Sequence, residues 1–153
     1  MAVLFFDSSG LVKRYVAETG TAWVQSITAA SARNDRFIAQ ITGAEMVSAV
    51  VRRLRRGDLS LADAETAQAE IAADFAQHFF LLEVSLPRIQ EAMLLSQRHG
   101  LRGYDAVQLA AVLFLRDQCR LTGLSDPLLI AADKELCLAA QAEGLLVDNP
   151  NTH

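Results

Sequence analysis

The sequence contains few cysteines, few prolines and no long hydrophobic run. Its 153 residues include two cysteines, Cys119 and Cys137, whose spacing fits neither a disulfide framework nor a metal site and so indicates a reducing, cytoplasmic environment. The longest apolar stretch, residues 106–115, is interrupted by Gln108 and is shorter than the roughly 20 residues that a membrane span requires. The first residues lack the basic segment of a signal peptide, so we expect neither export nor membrane contact.

The sequence also lacks an excess of positive charge. Its 18 acidic residues outnumber its 14 lysines and arginines, and the formal net charge of −4 excludes a strongly basic nucleic-acid-binding protein. The basic residues are nevertheless clustered, because Arg52, Arg53, Arg55 and Arg56 lie close together in the chain. Binding of a nucleic acid would therefore depend on a local patch and not on bulk charge.

Short apolar runs alternate with longer helical patterns along the chain. The predicted strands are residues 3–6, 36–41, 79–84, 128–131 and 145–147. The predicted helices are residues 10–17, 21–32, 42–56, 60–77, 87–100, 103–119 and 134–143. This alternation predicts a three-layer α/β/α sandwich with a central, mostly parallel sheet of four to five strands. We expect residues 1–150 to form a single domain and residues 151–153 a C-terminal tail.

One acid directly follows a predicted strand, two others lie shortly after strands, and a fourth begins a helix. Asp7, Glu45 and Asp133 come after the strands at residues 3–6, 36–41 and 128–131, and Asp105 opens the helix at residues 103–119. The carboxyl ends of parallel strands lie at one edge of a sheet, where open α/β proteins place their sites. The first three acids should therefore share an edge.

Each acid, taken alone, also has a structural explanation. Asp7 and Asp133 can cap helices, the Thr42–Glu45 spacing matches a capping box, and Asp105 suits the first turn of a helix. A non-catalytic α/β protein-binding module whose acids are helix caps is therefore an alternative. A receiver-like phosphoacceptor domain is disfavoured, because the strand at residues 79–84 ends without an acid.

Taken together, the four acids favour a different interpretation. Two unit charges about 4 Å apart repel by about 4 kcal/mol at an effective dielectric constant near 20. A cluster of carboxylates therefore needs a cation or partial protonation. Oxygen ligands without histidine favour Mg²⁺ or Mn²⁺, ions that promote the hydrolysis of phosphate esters.

Four segments carrying these acids resemble the motifs of the PIN-domain family, and most closely its VapC-type toxins. The segments are residues 7–13, 44–49, 103–110 and 131–136. They occur in the family's order, and the resemblance extends from about residue 3 to Pro150, nearly the whole chain.

The resemblance implies a metal-dependent endoribonuclease, the toxin of a toxin–antitoxin pair. It implies that Asp7, Glu45, Asp105 and Asp133 are catalytic and bind Mg²⁺ or Mn²⁺. Ser9 and Glu135 match positions that support the metal site in relatives. Ala131 replaces the threonine or serine that many relatives carry, so one supporting hydrogen bond would be missing. The resemblance further implies an RNA substrate, a small antitoxin partner and a homodimer.

Candidate residues for binding RNA or a partner are basic or apolar. The basic candidates are Arg52, Arg55, Arg56, Lys13 and Arg102. The first three share a helix face with Glu45 and could extend the acidic site into a phosphate groove, receive an acidic partner segment, or simply form a solvated helix end. The apolar candidates for an antitoxin helix, which could equally be core residues, are Trp23, Val24, Ile27, Ile71 and Phe75.

Overall fold

A central sheet of five parallel strands organises the computed structural model, which describes residues 1–153. The strands are β1 (Val3–Phe6), β2 (Asp35–Ala39), β3 (Phe80–Leu82), β4 (Leu128–Ile130) and β5 (Leu146–Asp148). They lie in the order β3-β2-β1-β4-β5, and every neighbouring pair is parallel. The predicted parallel sheet is therefore confirmed, with five strands.

Seven α-helices connect the strands. They are α1 (Ser8–Leu11), α2 (Thr21–Thr28), α3 (Thr42–Arg56), α4 (Leu61–Gln77), α5 (Leu86–His99), α6 (Gly103–Leu121) and α7 (Lys134–Ala142). The first two are shorter than predicted, since each passes into a short 3₁₀ turn. In α2 the Thr28 hydroxyl donates to the Val24 carbonyl at 2.7 Å, and Ala29 is already extended. Such side-chain bonds to the preceding turn compete with helix continuation.

Two hydrophobic cores, one on each face of the sheet, create the predicted three layers. Along β1, Leu4 and Phe6 point to the core formed with α1, α3 and α4, whereas Val3 and Phe5 point to the core formed with α5, α6 and α7. Alternate residues of a strand face opposite sides, which explains why a strand covered on both faces is apolar throughout. None of the seven helices combines the length and the apolar character that a membrane span requires.

The C-terminal residues turn back onto the fold. Pro150–Thr152 forms a 3₁₀ turn, and the ring of His153 stacks on Trp23 with the ring centroids 4.0 Å apart. The His153 imidazole also lies 2.8 Å from an oxygen of Asp148. The segment predicted to be a tail thus contacts α2 and the end of β5.

The strand order reverses between β1 and β4, and this defines the position of the site. The chain proceeds from β1 to β2 and β3 on one side of the sheet, and β4 and β5 extend it on the other. At such a switch point the connections diverge, which leaves a crevice beyond the carboxyl ends of the two central strands. Asp7 follows β1, and Asp133 lies three residues beyond β4.

Helix α1 approaches the end of β4 so closely that Gly10 has no room for a side chain. A Cβ atom at Gly10 would lie 2.5 Å from the carbonyl oxygen of Ile130. Because that obstacle is backbone, it cannot turn aside as a side chain can. Gly10 therefore allows α1 to hold Asp7 and Ser9 next to β4.

We expect Gly10→Ala to lower the free energy of unfolding by about 1–3 kcal/mol, the usual cost of overpacking. Urea denaturation measures this change. Gly103→Ala is the matched control, because a Cβ there meets no atom within 4 Å. Equal stability of the two variants would contradict the close approach of α1 to β4.

Candidate active site

A cleft of about 900 Å³ opens at the carboxyl edge of the sheet and contains three of the four predicted acids in its lining, Glu45, Asp105 and Asp133. Asp7 lies buried at the end of β1 with 2% of its surface exposed. The charge of Asp7 raises the pKa of Asp105, and the charge of Asp105 raises the pKa of Glu45. The fold therefore brings together all four acids, which are up to 126 residues apart in the chain (7 to 133).

Ser9 links the two sides of the switch point. Its backbone amide donates to Asp7 Oδ2 at 2.9 Å, and its hydroxyl donates to the same oxygen. The hydroxyl oxygen accepts hydrogen bonds from the amides of Ala132, at 2.9 Å, and Asp133, at 3.2 Å. A hydroxyl has one donor and two acceptor sites, so all three are used here. Ser9 thus fixes the first and last acids relative to each other.

Asp7 and Asp133 both cap helices, as their sequence positions suggested. Asp7 is the N-cap of α1, and Asp133 is the N-cap of α7, where its Oδ1 accepts a hydrogen bond from the Leu136 amide at 2.8 Å. A cap orients its carboxylate firmly, because the helix amides hold one oxygen in place. These two acids are therefore fixed in position whatever else they bind.

The capping box predicted for Thr42 and Glu45 is wrong. The N-cap of α3 is Ile41, so Thr42 is already the first helical residue. Both Thr42 and Glu45 instead accept hydrogen bonds from Gln108 Nε2, the Thr42 hydroxyl at 2.8 Å and Glu45 Oε2 at 3.1 Å. The second oxygen, Glu45 Oε1, is buried and makes no hydrogen bond of good geometry, although the Ser8 side chain lies close enough to lower the pKa of Glu45. A buried carboxylate oxygen without a partner is costly, and its position at the cleft points to a ligand.

Burial and mutual repulsion raise the pKa values of Asp7, Glu45 and Asp105. Burial is the main cause at Asp7, whose pKa is raised to about 6 although the Ser9 hydrogen bonds oppose the change. The pKa of Asp105 is also raised to about 6, by burial and then by the charges of Asp133 and Asp7. Burial likewise raises the pKa of Glu45. The basic side chains around these carboxyl groups therefore do not fully offset their negative charge.

The donor set suits a hard divalent cation. All four candidate ligands are carboxylates, and the unpartnered Glu45 Oε1 supplies an available oxygen. As the side chains stand, however, no group of three Asp, Glu, His or Cys residues is arranged to hold a metal ion. Glu135, the further predicted acid, is exposed in the first turn of α7 and contributes to the raised pKa of Asp105.

Four basic side chains line the cleft, and two of them share a single carboxylate partner. Lys13 is buried, and its Nζ lies 3.3 Å from Glu18 Oε1. Arg53 binds the other oxygen of Glu18 at 3.1 Å. Arg52 and Arg102 line the cleft without a carboxylate partner, although Arg52 donates to the Ser48 hydroxyl at 2.9 Å. Of the predicted basic residues, these two are the ones available to a phosphate group.

Arg55 and Arg56 do not join the cleft. Arg55 lines an adjoining groove between α3 and α4, which shares Arg52 with the cleft, and Arg56 pairs with Asp58 at 3.1 Å. Helix geometry explains the separation, since Arg55 is rotated about 80° from Glu45 and Arg56 lies about 16 Å further along the axis. The predicted basic face is therefore divided between two surfaces.

Three residues in or beside the cleft contribute to the site although the sequence did not assign them to it. Gln108 is fully buried and positions Glu45, and its signal was that it alone interrupts the apolar run at residues 106–115. Tyr104 precedes Asp105 and is 69% exposed at the cleft. Arg53 belongs to the arginine cluster, but no sequence spacing indicates that it would reach the cleft and bind Glu18.

The all-parallel sheet with acids beyond its central strands defines the class of the protein, an α/β protein with the PIN-domain fold. The solved structure of PAE2754 from Pyrobaculum aerophilum has this fold, with a TM-score of 0.64 and 19% identity over 99% of this chain and 85% of its own. A toxin–antitoxin complex from Klebsiella pneumoniae has a TM-score of 0.58 and 18% identity over 96% of this chain and 97% of its own.

A sequence relative identifies the family more narrowly. Ribonuclease VapC45 of Mycobacterium tuberculosis is 31% identical over 150 residues, which cover 96% of this chain and 95% of the relative. The chain belongs to the VapC ribonuclease family. No protein-family model matches it.

Proposed function

We propose that the protein is a Mg²⁺- or Mn²⁺-dependent endoribonuclease and the toxin of a cytoplasmic toxin–antitoxin pair. Asp7, Glu45, Asp105 and Asp133 are the proposed catalytic and metal-binding residues. The observation that carries the proposal is the buried, unpartnered Oε1 of Glu45 in a cleft that it shares with other acids. Membership of the VapC ribonuclease family supports RNA as the substrate.

The alternative of a non-catalytic binding module explains only half of the acids. Asp7 and Asp133 cap helices, but neither Glu45 nor Asp105 is the N-cap of its helix. Glu45 and Asp105 lie in the first turns of their helices, where the helix dipole favours a negative charge by only about 0.3–1 kcal/mol. Their pKa values are nevertheless raised, so the charged forms are unfavourable in the folded protein. Ligand binding accounts for these additional acids.

Different residues of the chain orient the metal-binding acids and bind the phosphates of the RNA. When bound, a divalent ion supplies positive charge to phosphate oxygens and lowers the pKa of water. Ser9 fixes Asp7 relative to the backbone before Asp133, and Gln108 orients Glu45. Arg52 and Arg102 line the cleft and provide charge for the phosphates of the RNA.

Cleavage of a short, end-labelled single-stranded RNA tests this function. We expect cleavage with Mg²⁺ or Mn²⁺, none in excess EDTA, and recovery when Mn²⁺ is added back. An Asp105→Asn preparation purified in parallel controls for contaminating nucleases. Cleavage that persists in EDTA and in this variant would contradict the proposal.

Replacing Gln108 with methionine should reduce cleavage about 10–100-fold, the usual effect of losing a residue that orients a metal ligand. Methionine has a similar volume but cannot donate to Glu45 Oε2 or to the Thr42 hydroxyl. Gln68→Met is the control, because Gln68 bonds only to the Ala64 carbonyl of its own helix. Single-turnover rates of both variants measure the effect. Equal rates would show that Gln108 does not position Glu45.

We also propose where the antitoxin binds. A groove of about 790 Å³ between α3 and α4 is lined by Val47, Val51, Ile71 and Phe75, with Arg52 and Arg55 also in its lining. This composition suits an amphipathic helix with an apolar face and acidic neighbours. Of the predicted apolar residues, Ile71 and Phe75 line the groove and also pack in the core beneath it, whereas the α2 residues Trp23, Val24 and Ile27 do not line the groove.

Reversing the charge of Arg55 should weaken antitoxin binding about tenfold or more, because like charges across an interface are strongly unfavourable. Arg56→Glu is the matched control, since Arg56 lies outside the groove. Calorimetry with the cognate antitoxin, sought among small proteins encoded beside the gene, would measure both affinities. If Arg55→Glu and Arg56→Glu bind equally well, the antitoxin lies elsewhere.

A second copy of the chain has a candidate surface of its own. Strand β3 is at the edge of the sheet, and its Phe80 is 57% exposed. Open edges with exposed apolar side chains tend to pair with another chain. We propose a homodimer through this edge, and sedimentation velocity would determine the mass in solution.

A further inference from the structure

A second groove, between α5 and α6, adjoins the carboxylate cleft and lacks charge. It has a volume of about 610 Å³, and none of its lining residues is ionised at neutral pH. Ile89, Ala92, Met93 and Val107 supply most of its apolar surface. Neither the acids nor the arginines of the cleft extend into it, so it is suited to an uncharged, flat and largely apolar group.

Tyr104 joins this groove to the cleft. Its side chain lines both cavities, and it directly precedes Asp105 in the first turn of α6. The side chain is 69% exposed, so packing within the protein does not account for it. An exposed aromatic ring beside a nuclease site is a surface on which a nucleobase can stack.

The groove also offers one polar group able to recognise the edge of a base. Gln97 lines the groove, is exposed, and makes no side-chain hydrogen bond within the protein. Its amide has both donors and an acceptor, as recognition of a base edge requires. Ser96, the other polar lining residue, already donates to the Leu101 carbonyl at 2.6 Å.

We propose that the α5–α6 groove binds a nucleobase of the RNA substrate next to the scissile phosphate, with Tyr104 as its stacking surface. This inference rests on the proposed endoribonuclease function. The phosphate requires the charged cleft, whereas its neighbouring base is uncharged and has an apolar face. An RNA strand that passes from the cleft into the groove therefore finds charged side chains at its phosphate and an apolar surface at its base. Gln97 selects among bases at that position.

Binding of RNA to an uncleaving Asp105→Asn protein separates recognition from reaction. In this background, Tyr104→Ala should raise the Kd for a short single-stranded RNA about tenfold, the usual scale of a lost stacking contact. Tyr104→Phe, which keeps the ring, should stay within about twofold. A 2-aminopurine placed at the base beside the cleavage site should be quenched by the parent and by Tyr104→Phe but not by Tyr104→Ala.

Removing the base gives an independent check. RNA that is abasic at this position should bind the parent as weakly as Tyr104→Ala binds intact RNA, and Tyr104→Ala should cause no further loss. Gln97→Ala should reduce the preference among four RNAs that differ only at this base. Additive losses from the variant and the abasic site would overturn the proposal.

The remaining outcomes are distinguishable. If the wild-type protein cleaves RNA but Tyr104→Ala binds and cleaves as well as it does, the groove proposal is wrong and the endoribonuclease function stands. If Tyr104→Ala instead changes the sedimenting mass or antitoxin affinity and leaves RNA binding intact, the groove is a protein interface. If the wild-type protein cleaves no RNA with either metal, both proposals fall.

Discussion

Asp105→Asn is expected to lower the rate of RNA cleavage about 1,000-fold or more, because a carboxylate proposed to bind the metal ion becomes a neutral amide and the positive charge at the reacting phosphate is lost with the ion. Asparagine has nearly the same shape as aspartate, and Asp105 is not the N-cap of α6, so the helix should remain intact. Single-turnover rates with saturating Mn²⁺ measure the loss. Loss of this size with an unchanged fold would separate a catalytic role from a structural one.

The same substitution should leave stability unchanged or increase it at neutral pH. The pKa of Asp105 is raised from 3.8 to about 6, so the folded protein holds a proton more tightly than the unfolded chain does. Stability therefore decreases as pH rises from about 4 to about 6, and the cost of the charge is fully present above that range. Urea denaturation at pH 7.5 should show the gain in Asp105→Asn, and the gain should disappear near pH 4.

Asp117→Asn is the control on the same helix. Asp117 is exposed near the end of α6 and pairs with Arg116 at 3.2 Å, far along the helix from the cleft. It should change neither the cleavage rate nor the stability appreciably, as expected for an exposed ion pair. Cleavage by Asp105→Asn at the rate of Asp117→Asn would show that Asp105 is not part of the site.

The sheet was predictable because its strands are apolar on both faces. Residues 3–6 form an unbroken apolar run, and the structure buries Leu4 and Phe6 against one helical layer and Phe5 against the other. Parallel pairing follows from the helix between successive strands, which returns each new strand to the same direction. That direction is sufficient to place Asp7 and Asp133 at one edge of the sheet.

The hydrogen bonds that organise the site were not predictable, since they join distant parts of the chain. Gln108 reaches Glu45 across 63 positions, and the Ser9 hydroxyl reaches the Asp133 amide across 124. No local pattern encodes these pairs. The capping-box rule gave a wrong prediction at Thr42, because its hydroxyl accepts a hydrogen bond from Gln108 and does not cap α3. Packing of α6 against the sheet determines this choice.

The surroundings of the basic residues could be predicted only in part. Periodicity places Arg52 near Glu45 on α3, but it does not show which neighbouring element faces each arginine. Arg53 is held at the cleft by Glu18, and Arg55 faces the groove beside α4. Both contacts depend on how separate segments pack on α3. The cluster of arginines in the sequence therefore predicted that α3 carries positive charge. It did not predict that this charge is divided between two surfaces.

A divalent cation should stabilise the wild-type protein strongly. Ligand at about 100 times its Kd adds about 2.7 kcal/mol to the free energy of unfolding. For a chain of this size, each kcal/mol corresponds to roughly 2–4 °C, so the melting temperature should rise by about 5–11 °C. Differential scanning fluorimetry with Mn²⁺ or Mg²⁺ at pH 7.5 measures the shift. Asp63→Asn, at an exposed acid in the first turn of α4, should retain all of it.

Asp7→Asn should reverse the order of stabilities. Without metal it should be the more stable protein at pH 7.5, by up to about 3 kcal/mol, because Asp7 is buried and its pKa is raised from 3.8 to about 6. Asparagine still accepts the hydrogen bond of the helix cap, so capping alone predicts little change. With metal the wild type should gain and the variant should not, since a neutral amide is a poor substitute for a carboxylate ligand. Equal shifts in both proteins would remove Asp7 from the metal site, and no shift in either would leave Asp7 and Asp133 as caps alone.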